Sequence, residues 1–230
     1  MALTRLRFLP CMIAIVLAFP FPSVAFDTPL SDTAVRQAYF MGQRHDETYG
    51  QFLDSYYKHL PPPTTGPYIS SVAFLTPYAL LTEFSNQQPY GYSAQQAELD
   101  HQGMVETVKI LVEIQLTDTY PAVMANPAGR TSGTPWNRIL RPSDFWRDFQ
   151  IETISGGKVL SPFVSRGEPN YICGDSDLQG LAIGEYCTLV GATVRMEFLA
   201  EAFATDSAKV KIVPPEGDKV VVDFDLSSLR

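Results

Sequence analysis

Basic and metal-ligating side chains are scarce in this sequence. Three histidines and three cysteines are spread over 230 residues, and 17 Lys and Arg stand against 25 Asp and Glu, a formal net charge of −8. A chain with a sequence pI near 4.8 lacks the positive field that nucleic acid or an anionic membrane surface selects, so nucleic acid is not expected as a partner. Three histidines are too few for most metal or triad chemistry. Long apolar runs are missing as well. The unbroken run Cys11 to Phe19 has nine residues, against the about 20 that a spanning helix needs. Motifs that announce a reaction are also absent. There is no Gly-x-Ser-x-Gly elbow and no Gly-x-Gly-x-x-Gly after a strand. Gly156-Gly157-Lys158 is followed by Val159 and lacks the upstream glycine of a phosphate loop. No cofactor and no metal is indicated. Paired carboxylates of the glycosidase kind stay open, because they come from distant positions.

What is present begins with an address. Arg5 and Arg7, the apolar run, and Ser23-Val24-Ala25 follow the order of a secretory signal peptide, with cleavage expected before Phe26. Removing residues 1–25, which carry two Arg and no acid, takes the net charge from −8 to −10 and leaves 205 residues. The exported product is expected to be soluble, periplasmic or extracellular, with no stable membrane insertion after cleavage. Cys11 leaves with the signal. Cys173 and Cys187 then form an even pair, and in an oxidising compartment a disulfide is the expected state. It would close a 15-residue loop, worth about 3 kcal/mol on the chain-entropy account.

Apolar residues recur at helical spacing from Ser31 to Leu60, which predicts one long amphipathic helix or two abutting ones. Ser31 serves as N-cap, Gly42 and Gly50 are weak points, and Pro61-Pro62-Pro63 is the stop. Tyr68–Thr76 reads as a strand ended by Pro77. Ser93–Gly103 reads as a short capped helix, and Val105–Thr117 as a strand whose Val108, Ile110, Val112, Ile114 and Leu116 line one face. From Phe145 onward the pattern is β. Gly156-Gly157 marks a hairpin, Leu189–Ala204 a long alternating strand, and Gly217 a turn between Val210–Val213 and Lys219–Leu226. The predicted fold class is α+β: an N-terminal amphipathic helix packed on a mainly antiparallel, β-sandwich-like sheet. Residues 26–118 form an N-terminal helix plus strands, 119–143 a long loop or linker, and 144–230 a β-rich region that can share one domain with 26–118.

Few side chains point to chemistry. His45 falls on the apolar stripe of the first helix, a packing position, and His59 precedes the proline stop, an exposed one. Glu98 and His101 share a helix face, but a carboxylate-bridged metal pair needs two such motifs and two further Glu. Asp175-Ser176-Asp177-Leu178-Gln179-Gly180 opens like a calcium loop, yet the fifth position is Gln179 and the twelfth Tyr186. It reads as a polar loop closed by the disulfide.

Thr119–Ser143 departs from the acidic background. It holds Arg130, Arg138 and Arg141 with no Asp or Glu, contains Trp136, and is followed by Trp146 and Arg147. Trp and Arg dominate binding hot spots, so Arg130, Trp136, Arg138 and Arg141 are the candidate binding residues, for an unknown protein or an anionic ligand. The plainer reading places Trp136 in the core and pairs the arginines with the chain's own acids. The favoured function is a non-enzymatic binding or interaction protein of the cell envelope or medium. A secreted hydrolase with dispersed carboxylates and a structural subunit of an envelope assembly are the alternatives.

Overall fold

The computed structural model describes residues 26–63, 66–88, 91–117, 122–123, 143–178, 181–215 and 217–230, and only the backbone of 122–123, 174–178 and 181–186. The chain is α+β, with two antiparallel sheets and four α-helices among the described residues. Helix α1 (Asp32–Gly42) starts at Ser31, whose hydroxyl accepts from the Ala34 amide. The long helical period is broken after Gly42: α2 (Glu47–Asp54) is a separate helix capped by Asp46. The stop also comes earlier than expected, because Tyr57–His59 is strand β1, paired with β2 (Pro67–Leu75). Backbone pairing to a neighbour outweighs a helical period that short. Two helices follow β2, α3 (Pro77–Asn86) and α4 (Ala94–Gln102), the second with its expected Ser93 and Gly103 caps.

Strand β3 (Thr107–Leu116) alternates as expected, with Val108, Ile110, Val112 and Ile114 fully buried. It pairs with β2 on one side and with β8 (Leu181–Leu199) on the other. The two-residue strand β4 (Ala122–Val123) continues along β8. β5 (Gln150–Ser155) and β6 (Lys158–Leu160) form the Gly156-Gly157 hairpin, both glycines at positive φ. Sheet two is completed by β9 (Ser207–Val213) and β10 (Val220–Asp225), in the order β10-β9-β5-β6.

One segment overturns the expectation of a polar disulfide loop. Residues Val164–Leu178 are strand β7, the partner of β8 over its whole length. Cys173 and Cys187 sit directly opposite each other in that register, bridged, with Cα atoms 4.0 Å apart. Asp175–Leu178 therefore lies in extended backbone, whereas a calcium loop must curl around its ion.

The two sheets close on a shared core. Phe74 of β2 meets Phe203 at 5.0 Å and Phe224 of β10 at 5.5 Å between ring centroids, and Phe198 of β8 meets Phe203 at 5.7 Å. Phe26 joins this core, edge-on to Phe74. The other face of the six-stranded sheet, carrying Lys109 and Glu197, is overlaid by α3. Helix α1 packs on α3 and α4, and its Ala34, Val35 and Ala38 form a smaller cluster with Tyr78, Leu81 and Ala97. No helix among the described residues is long and apolar enough to cross a membrane.

Candidate functional site

Among the described residues the sandwich is open at one end. A cavity of about 600 Å³ lies between the segment that leads into β2 and the turn that joins β9 to β10. One wall is Leu60, Pro61, Pro63, Gly66, Pro67 and Tyr68; the other is Phe149, Pro214, Gly217, Asp218 and Val220, with Ile69 at the floor. Each wall is pinned. The Leu60 amide donates to the Ser70 carbonyl at 2.8 Å, where β2 carries a bulge. Gly66, at φ +95°, donates to the Thr117 hydroxyl at 3.1 Å and accepts from its amide at 3.3 Å. Opposite, Gly217 takes φ +97° and turns the chain, which a side chain there would oppose. Ile69 and Phe149 are buried members of the main core, so the cavity is continuous with it.

Four of the lining residues are prolines. Proline fixes φ and has no N–H to satisfy, so these walls hold their shape without hydrogen-bonding across the gap. The Tyr68 hydroxyl donates to Gln115 Oε1 at 2.9 Å, which leaves its ring as wall. Asp218 is the one charged side chain among the described lining residues. The arrangement suits a mainly apolar molecule, in a volume typical of ligand sites.

A second cleft, about 310 Å³, opens over the outer face of the large sheet and mixes charged with apolar side chains. Glu83, Glu106, Glu197, His101 and Lys109 line it beside Leu80, Phe84, Met104 and Val105. Glu106 is committed to holding the N-terminal segment. Its carboxylate accepts from the Thr28 hydroxyl at 2.7 Å and the Leu30 amide at 2.6 Å, and it lies 3.0 Å from His101 Nε2. Burial pushes the Glu83 carboxyl above its ordinary range, against the opposing pull of Lys109 and Arg195. Neither cation makes an ion pair with a described carboxylate.

The histidines separate in the fold. Glu98 turns to Arg36 while His101 turns to Glu106, so the Glu-x-x-His spacing gathers no shared site. Among the described residues no group of three or more His, Cys, Asp or Glu is placed to hold a metal. His45 is exposed in the break between α1 and α2, with Nδ1 3.3 Å from Asn86 Nδ2, and is not a packing residue. His59 is exposed, 3.1 Å from Asp54.

Arg130, Trp136, Arg138 and Arg141 lie outside the described residues. Their neighbours Trp146 and Arg147 are described: Trp146 packs against the main core, and Arg147 is exposed. Trp146 covers Gly167 of β7 so closely that a Cβ there would strike the indole. Arg147 stacks on that indole at 5.4 Å and sits 3.6 Å from Asp144. The cavity residues do not stand out in the sequence because they come from three distant stretches, and their prolines and glycines read as ordinary punctuation. No protein-family model matches this chain, and no curated protein or solved structure matches it.

Proposed function

We propose that this is an exported, non-enzymatic protein that binds a small, mainly apolar molecule in the cavity at the open end of its sandwich. The observation that carries the reading is the cavity itself: about 600 Å³, walled by prolines and aromatic rings and continuous with the core. Rigid walls lower the ordering cost of binding, and buried apolar contact supplies the affinity. The Cys173–Cys187 bridge supports export, since structural disulfides persist in oxidising compartments. So does the order of charge, apolar run and small residues at the N-terminus.

The test is a titration with N-phenyl-1-naphthylamine, a neutral probe that brightens in apolar surroundings. Saturable 1:1 binding is expected. Leu60→Trp, which projects an indole from the half-buried wall, should abolish it while thermal unfolding stays cooperative. A well-folded protein that never saturates with the probe would sink the proposal.

The second reading, a secreted hydrolase, draws on the cleft over the outer face of the large sheet, where Glu83 has the raised proton affinity that a general acid requires. It ranks second because His101 and Glu106 are tied to each other and to the N-terminal segment. Turnover of a fluorogenic ester or glycoside, lost in Glu83→Gln, would promote it.

A further inference from the structure

We infer that the ligand of the apolar cavity is a cationic amphiphile, an apolar body ending in an ammonium group that lies against Asp218; this rests on the binding reading above and narrows it. The inference comes from the charge distribution over the cavity wall. Of the described lining residues only Tyr68 and Asp218 carry a polar side-chain atom, and Asp218 alone carries charge. Lys219, the next residue along, is exposed and does not line the cavity.

A carboxylate, sulfate or phosphate head would enter a site with no described cation to receive it and with Asp218 facing it. A charge taken out of water without a partner is strongly disfavoured, and a like charge nearby makes it worse. An ammonium head meets the opposite situation. Asp218 supplies a counter-charge at the solvent-facing turn, where pairing needs little desolvation of the carboxylate. The aromatic ring of Tyr68, whose hydroxyl is already engaged by Gln115, lines the same space, and an ammonium is the charged head an aromatic ring can also attract. The molecule as a whole pulls the same way. At a net charge of −8 the long-range field attracts cations and repels anions before contact. Shape therefore selects an apolar body, and charge selects the head.

The experiment displaces bound N-phenyl-1-naphthylamine with three molecules of equal chain length at pH 7 and low salt: octylammonium, octanol and octanoate. Octylammonium is expected to compete best, at a concentration about tenfold below octanoate, with octanol between them; tenfold is the effect of one modest ionic contact. In Asp218→Asn the advantage of octylammonium over octanol should vanish, and Asp218→Glu should keep it. Octanoate competing as well as octylammonium, or an unchanged ratio in Asp218→Asn, overturns the inference and leaves the cavity as a binding site of another specificity. Absence of probe binding at the outset sinks the binding reading itself, so the two failures are distinguishable.

Discussion

The phenolic hydroxyl of Tyr56 donates to the carbonyl oxygen of Arg230 across 3.0 Å and 174 residues of sequence. The hydroxyl of Thr76, the N-cap of α3, donates to the same oxygen. Tyr56 is 1% exposed and Thr76 fully buried, so neither hydroxyl has water to fall back on. The Arg230 guanidinium lies over the Tyr78 ring at 4.8 Å. Residue 230 is thus a structural member of the junction between helices and sheet. The Tyr56 hydroxyl also accepts from the Arg230 amide at 3.3 Å, so Tyr56→Phe should cost about 1–2 kcal/mol, at about 1 kcal/mol net for each such bond. Thr76→Val should cost more, because it also strips the cap from α3. Urea unfolding of the two variants checks the order, and equal stability of Tyr56→Phe and the unaltered protein would contradict it.

Gly42 sets two physical effects against each other. Alanine at a helical position is favoured over glycine by about 1 kcal/mol from propensity alone. Here, however, a Cβ would run into the Thr82 carbonyl and the Ser85 side chain of α3. Carbonyl oxygen cannot swing aside as a flexible side chain can, and overpacking costs about 1–3 kcal/mol. Gly42→Ala should therefore destabilise the protein. Gly50, whose added Cβ would meet nothing within 4 Å, is the control: Gly50→Ala should stabilise. Thermal melts of both variants side by side decide the matter.

Glu83 gives a pH dependence of defined sign. Burial raises its carboxyl above the ordinary value of 4.5, so the folded state holds the proton more tightly than the unfolded chain does. Its stabilising contribution is complete below about pH 4.5 and is lost as pH rises through the shifted value. Glu83→Gln keeps the neutral shape without the ionisation. The variant should be more stable than the unaltered protein at pH 7, and the difference should shrink toward pH 4. A constant difference across that window would show that ionisation of Glu83 is not involved.

Much of the fold is legible where one residue type does one local job. Val108, Ile110, Val112 and Ile114 declare a half-buried strand because side chains alternate faces at a period of two. Ser93, Gly103, Gly156-Gly157 and Gly217 mark the ends and turns where they stand. Pro77 is less transparent. It ends β2 as expected, but it also occupies the first turn of α3, where its missing N–H costs nothing, with Thr76 as cap. Strand β7 hides behind Gly167, Pro169 and Gly174. Its state is set by pairing with β8, a non-local term that no window of sequence contains. The cavity is hidden for the same reason, since Leu60, Phe149 and Pro214 become neighbours only when the sheets stack.

Phe26 links the N-terminal reading to the core. It is the residue expected to follow signal cleavage, and it is 5% exposed, packed against Phe74. N-terminal sequencing of exported protein should begin at Phe26, and an intact leader in a membrane fraction would refute that. Phe26→Ala should cost about 3–5 kcal/mol, as for other buried aromatics. The same protein shortened to begin at Asp27 should lose a similar amount in denaturant titration.

The bridge between β7 and β8 also decides how the molecule would carry a load. β3 pairs with β8 only from Gly191 to Leu199, and β4 only at Thr188 and Leu189, so nearer the tip β8 pairs with β7 alone among the described strands. Cys173 and Cys187 lie at the root of that free ribbon. A pull that lifts β7 from its Val164 end would open backbone rungs one at a time, the weakest direction for a strand pair, until it reached the sulfurs. There the peeling stops, and the tension passes through the bridge into β8, which β3 holds along Gly191–Leu199. With the cysteines reduced, the same pull would continue to unzip β7 toward the tip.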